Sequence, residues 1–160
     1  MKCYFYGSNL LDDKLTRNQG IISFAIPDYG VVFRAQQYGN TYECEYAAVL
    51  ALIKFIRLNY SHFRSAKPRF LTDSAMVVYQ VKGRVNTTKQ LKRFRDLVLF
   101  YMRKIGFELE WVPSNMNRAQ MGASGAATNP KTPDFNYDIF DEKTRRNRGQ
   151  GRNPRQSRNV

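Results

Sequence analysis

The apolar period of this chain changes once, early, and that change limits what it can fold into. Cys3–Ser8, Gly20–Ile26 and Val31–Gln37 each have the aromatic and β-branched content of a strand. Tyr46, Val49, Leu50, Ile53 and Ile56 then recur at helical spacing to about Asn59. Pro27-Asp28-Tyr29-Gly30 is a turn too short for a crossover, so the second and third strands should pair antiparallel. Asn40, with Glu43 three residues on, supplies a capping box for the first helix.

Strands and helices alternate after that point. Arg69-Phe70-Leu71 is a short strand, Asp73-Ser74 caps a helix through Val81, and Gly83 stops it. Thr87 or Thr88 opens another helix, with Leu91, Phe94, Leu97, Val98, Tyr101 and Ile105 on one face. Its other face carries Lys89, Lys92, Arg93, Arg95, Arg103 and Lys104, and Gly106 ends it. Phe107–Val112 is a fifth strand, and Asn117–Ala127 is expected to form a last helix. The predicted order, β-β-β-α-β-α-α-β-α, is an α/β fold with a mixed five-stranded sheet and flanking helices.

A chain of 160 residues, 42% hydrophobic, has room for one domain with a proper core. From Asn129 onward Pro, Asn, Gly and Arg dominate and the apolar period is lost. The expected division is a domain over 1–125 and a disordered linker and basic tail over 126–160, and deleting residues 129–160 should leave folding intact. No apolar run has the roughly 18 residues of a membrane span, and Met1–Tyr6 lacks the pattern of a signal peptide. Cys3 and Cys44 have no metal-site spacing and are too few for a disulfide framework, so an intracellular, reducing location, cytoplasm or nucleus, is expected.

The net charge of +13 favours a polyanionic partner. Residues 143–160 hold Lys143, Arg145, Arg146, Arg148, Arg152, Arg155 and Arg158 with no acid, which is +7. Residues 126–142 hold Lys131 against Asp134, Asp138, Asp141 and Glu142, which is −3. That leaves +9 for residues 1–125, so the expected domain is basic in its own right.

Four local strings, in order and on the expected elements, resemble the ribonuclease H type 1 (RNase H-like) family. Tyr6-Gly7-Ser8-Asn9 is similar to the family's Asp-Gly-Ser-x, and Cys44-Glu45-Tyr46-Ala47-Ala48 to its Ala-Glu-Tyr-x-Ala. Thr72-Asp73-Ser74 followed by Val77-Val78-Tyr79-Gln80-Val81 resembles Ser-Asp-Ser-x-x-Val-Val-x-Gln-Val. Trp111–Arg118 resembles the stretch containing Val-Pro-Arg-Glu-x-Asn-Lys-x-Ala-Asp. The resemblance implies cleavage of the RNA strand of RNA–DNA hybrids by four carboxylates holding two divalent ions. Two such ions, about 4 Å apart, stabilise the attacking water and the leaving oxygen together.

Carried over position by position, the second carboxylate is Glu45 and the third is Asp73, the remaining candidates for catalysis and metal binding. The first falls on Tyr6, and the fourth on Met121, or Gln120 if the alignment slips by one. A neutral phenol supplies no anionic charge near pH 7. Asp12 and Asp13 could replace the first acid only if their loop folds back, since six extended residues span about 20 Å. Where the family places two Asn residues that read the minor groove and the 2′-hydroxyl, Thr41 and Tyr42 stand. The expected nucleic-acid contacts are Gly7, Ser8, Asn9, Thr41, Lys89, Lys92, Arg93, and Arg145, Arg146, Arg148 and Arg152 of the tail.

Three functions compete. The first is a catalytically impaired domain binding structured RNA or RNA–DNA hybrid. The second is an active nuclease with a non-standard carboxylate set, using Mg²⁺ or Mn²⁺. The third is a scaffold that kept the fold for contact with a protein partner.

Overall fold

The computed structural model describes residues 1–11, 16–120 and 135–140. Five strands, β1 (Lys2–Asn9), β2 (Asn18–Ile26), β3 (Val31–Gly39), β4 (Arg69–Thr72) and β5 (Glu108–Trp111), form one sheet in the order β3-β2-β1-β4-β5. β1–β2 and β2–β3 are antiparallel, and β1–β4 and β4–β5 are parallel. The helices are α1 (Thr41–Leu58), α2 (Tyr60–Phe63), α3 (Ala75–Val81) and α4 (Lys89–Tyr101), the last running into a π-helical turn over Met102–Gly106. The mixed sheet with flanking helices is the expected architecture.

Local chemistry sets the boundaries. Asn40 Oδ1 accepts from the Glu43 backbone N–H at 2.9 Å, and Glu43 Oε2 accepts from the Asn40 N–H at 2.9 Å, closing the capping box. Arg17 pairs with the same carboxylate at 3.0 Å. Gly83 and Gly106 take φ of 72° and 78°, the left-handed region that lets a helix end without a Cβ clash. Thr88 caps α4, accepting from Leu91 N–H. α1 buries Cys44, Ala48, Val49, Leu52, Phe55 and Ile56 in one core with Cys3, Phe5, Ile22, Phe24 and Phe70 of the sheet. A Cβ at Gly7 would collide with the carbonyl of Cys44, so a glycine there lets α1 lie directly on β1.

Three expectations change. Leu97 is 41% exposed rather than on the buried face of α4. α4 packs on α1 and α3, and that seam takes Leu91 and Val98, with Phe94 and Tyr101 partly buried. Asn117–Gln120 is a turn rather than the opening of a helix, and residues 121–127 lie outside the described residues.

The third change concerns the tail. Residues 135–140 dock on the domain instead of leaving it at residue 125. Phe135 stacks on Phe63 with ring centroids 5.5 Å apart and meets Phe55 and Tyr29, while Ile139 is fully buried. Asn59 Nδ2 donates to the Asn136 carbonyl at 2.8 Å, and Asn136 N–H donates back to Asn59 Oδ1 at 2.7 Å. The buried backbone of the segment thus has partners, as a docked segment requires.

Candidate functional site

β4 ends at Thr72, and Ser74 rather than Asp73 caps α3, its Oγ accepting from Val77 N–H at 3.3 Å. That leaves the Asp73 carboxylate free for other partners. Its Oδ1 accepts from Asn117 Nδ2 at 2.6 Å and its Oδ2 from Ser114 Oγ at 2.9 Å. Asn117 is fully buried and joins three elements. The same amide donates to the Phe5 carbonyl of β1 at 2.9 Å, and its oxygen accepts from Ala119 N–H at 3.0 Å. Trp111, half exposed at the end of β5, donates its indole N–H to the Asp73 backbone carbonyl at 3.3 Å. Glu45, in the second turn of α1, accepts from Ser74 Oγ at 2.7 Å. Ser74 therefore links the two remaining carboxylates: it follows Asp73 in sequence and holds Glu45 by hydrogen bond.

Tyr6 faces the other side of β1 from Gly7. It packs on the small cluster of Tyr4, Leu71 and Ala119, and Ser23, its register partner on β2, donates to the Ala119 carbonyl at 2.7 Å. The position that the resemblance assigns to the first carboxylate thus carries a ring seated against the 117–120 turn. Met121, Asp12 and Asp13 lie outside the described residues. Among the described residues no group of three His, Cys, Asp or Glu side chains converges. Both oxygens of Asp73 and one of Glu45 are already engaged by neutral donors. Among the described residues, Glu45 and Asp73 alone do not supply the several carboxylate oxygens turned to one point that a pair of hard divalent cations calls for.

The expected nucleic-acid contacts divide sharply. Gly7, Ser8, Asn9 and Thr41 are all buried. Asn9 Nδ2 donates to the Thr16 carbonyl at 3.1 Å, Thr41 Oγ1 donates to Asn9 Oδ1 at 3.3 Å, and Ser8 Oγ donates to the Asn9 carbonyl at 3.0 Å. These groups tie the end of β1 to α1 and do not present an open phosphate cradle. Lys89, Lys92 and Arg93 are exposed on α4. Arg95, expected beside them, is instead drawn in, pairing with Asp96 at 2.8 Å and donating to Thr87. Arg145, Arg146, Arg148 and Arg152 lie outside the described residues. Ser74, Ser114 and Asn117 are site residues that the sequence did not single out for that role. Ser74 carried a signal as a helix cap and as the second Ser of the third family string, and Asn117 as the Asn of the fourth; Ser114 carried none.

Burial pushes the Cys3 thiol up to about 12 and the Cys44 thiol up to about 11, so neither supplies a thiolate nucleophile near pH 7. Both are free and buried. No described helix is long and apolar enough to cross a membrane.

A mixed sheet in this order, with one acid on α1 and one at the end of β4, is an RNase H-like fold. Solved structures bear the likeness out. The N-terminal RNase H domain of a Mycobacterium tuberculosis protein is similar at a TM-score of 0.56 and 17% identity, over 72% of this chain and 84% of that one. RNase H1 from the halophilic archaeon Halobacterium salinarum is similar at a TM-score of 0.57 and 20% identity, over 74% and 89%. LC11-RNase H1, isolated from compost by a metagenomic approach, is similar in its complex with an RNA/DNA hybrid at a TM-score of 0.58 and 14% identity, over 73% and 88%. At these identities the likeness is one of fold. No protein-family model and no curated protein matches the chain.

Proposed function

We propose that this chain is an RNase H-fold nucleic-acid-binding domain that holds RNA or an RNA–DNA hybrid without cutting it. The observation that carries the reading is the wiring of Asp73. A carboxylate whose two oxygens are held by Asn117 and Ser114, with Tyr6 where the first metal-bridging acid would stand, works as a structural latch. The hybrid bound to LC11-RNase H1 supports the choice of partner, as do the exposed cations of α4.

Lys89, Lys92 and Arg93 are the contacts proposed for the phosphate backbone, joined by the tail arginines Arg145, Arg146, Arg148 and Arg152. Such contacts fix position and register without reading bases. Divalent ions are then dispensable for binding. A labelled 20-base-pair hybrid should bind the full chain equally well in EDTA and in Mg²⁺, and Glu45→Gln should leave affinity within about twofold. Binding that requires Mg²⁺ or Mn²⁺ and disappears in Glu45→Gln would instead favour a working metal site. Salt-insensitive or absent binding to any nucleic acid would favour a scaffold for a protein partner.

A further inference from the structure

A groove of about 360 Å³ lies at the end of the domain remote from the carboxylates. Ile56 and Arg57 from the last turn of α1, Tyr60 and Phe63 of α2, and Lys104 and Ile105 of the π-helical turn line it, with Arg64 on its rim. Twelve residues of α1 separate Glu45 from Arg57, about 18 Å along the helix axis. Pro68 closes the groove where β4 begins, whereas Asp73 follows where β4 ends.

The groove has an apolar floor, three cations and one exposed ring, Tyr60, and a second exposed ring, Phe100, lies outside the lining against Lys104. Arg57, Arg64 and Lys104 form no ion pair among the described residues. Tyr60 is 61% exposed and Phe100 53% exposed, a large apolar outlay for solvent-facing positions. Direct contacts join them into one surface. Lys104 Nζ lies 5.6 Å from the Phe100 ring, Phe100 meets Tyr101 edge-on at 5.0 Å, and Arg57 lies over Tyr101 at 4.7 Å while donating to its hydroxyl at 2.8 Å. Arg57 and Tyr60 then share the groove wall. The π-helical turn widens α4 where it presents Lys104 and Ile105, a distortion often found at binding sites.

We infer that this groove and the Phe100 face adjoining it bind single-stranded nucleic acid, with Tyr60 and Phe100 stacking on bases and Arg57, Arg64 and Lys104 holding the intervening phosphates. Cations track a flexible polyanion, and aromatic faces accept any base, so the site needs no sequence preference. A duplex keeps its bases stacked inside and cannot use the rings. The domain would thus hold a duplex on one side and its single-stranded continuation on the other. The inference rests on the nucleic-acid reading above only for the class of partner.

The test compares the full chain with Tyr60→Ala/Phe100→Ala and with Arg64→Ala/Lys104→Ala, all four positions being exposed or at the groove rim. Probes are a fluorescent 12-mer of uridine, a 12-mer of thymidine, an abasic 12-mer and the blunt hybrid. Both double variants should weaken the uridine or the thymidine 12-mer by about tenfold or more. Hybrid affinity should stay within about twofold, and the abasic strand should bind poorly to every form. The stronger of the uridine and thymidine arms identifies the strand type. Single-strand affinity unchanged in both variants, or equal for abasic and normal strands, would overturn the inference. Hybrid binding that fails while single-strand binding persists would count against the duplex reading alone.

Discussion

Asn117 is the residue on which the candidate site turns. Its amide serves the Phe5 carbonyl, the Asp73 carboxylate and the Ala119 N–H at once, and no solvent reaches it. Asn117→Ala strands a buried carbonyl and loosens a carboxylate, which should cost about 2–3 kcal/mol in a urea titration. Ser114→Ala, at an exposed position, should cost under about 1 kcal/mol. Equal small losses would show that the latch is not structural. The cysteines give a pH signature at the same scale. Burial holds Cys3 at about 12 and Cys44 at about 11, while an unfolded thiol ionises near 8.5. The native state keeps its protons where the unfolded state loses them, so stability is intact below about pH 8.5 and falls as pH rises above it. Urea midpoints at pH 7 and pH 10 should show that decline, and Cys3→Ala/Cys44→Ala should shrink it. A decline of the same size without the thiols would assign it to other groups.

At the scale of elements, the segment 135–140 changes where the domain ends. Phe135 fills a ring cluster made by Tyr29, Phe55 and Phe63, and the Asn59–Asn136 pair fixes its backbone. Truncation after Phe140 should leave the thermal midpoint nearly unchanged. Truncation after Asp134 should lower it by several degrees, and Phe135→Ala alone should cost about 2–4 kcal/mol. Identical midpoints for the two truncations would show that the segment adds nothing to the core. In the sequence this segment carries only a faint signal: Phe135, Tyr137 and Ile139 alternate with Asn136 and Asp138 at strand spacing, but the run is five residues long and isolated among polar stretches, and it forms no strand. It packs on rings that α1, α2 and the β2–β3 turn bring together only in the fold. The five strands and the helices longer than a turn were legible, because each carries its own period and its own cap or glycine stop. Leu97 was misplaced because α4 buries a seam against two helices rather than a broad face. The polar latch was legible at Asp73 and Asn117, and at Ser74 only as a cap and as a serine of the third family string. Ser114 is an ordinary turn residue until the end of β5 sets it against Asp73, and the hydrogen bond of Ser74 to Glu45 exists only once α1 lies beside β4.

For the whole molecule, the balance of charge is the main physical fact. Residues 1–140 carry +8, since Lys131, Asp134 and Asp138 together take one unit from the +9 of residues 1–125. Affinity for a hybrid should therefore fall steeply with salt, each neutralised phosphate releasing about 0.9 counterion on duplex DNA. Replacing Lys89, Lys92 and Arg93 with Ala should flatten the log–log slope by about 2–3 units without changing the thermal midpoint. Truncation after Phe140 should flatten it further without abolishing binding. A slope unchanged in both would remove α4 and the tail from the interface.

The central claim is binding without turnover, and a single reaction tests it most directly. A hybrid labelled on its RNA strand is incubated with excess full-length protein, in Mg²⁺ and separately in Mn²⁺, and bound and cut fractions are measured from the same samples. The account predicts a saturated complex with RNA cleavage no faster than in the protein-free control. Metal-dependent cleavage that is lost in Glu45→Gln or Asp73→Asn would contradict it.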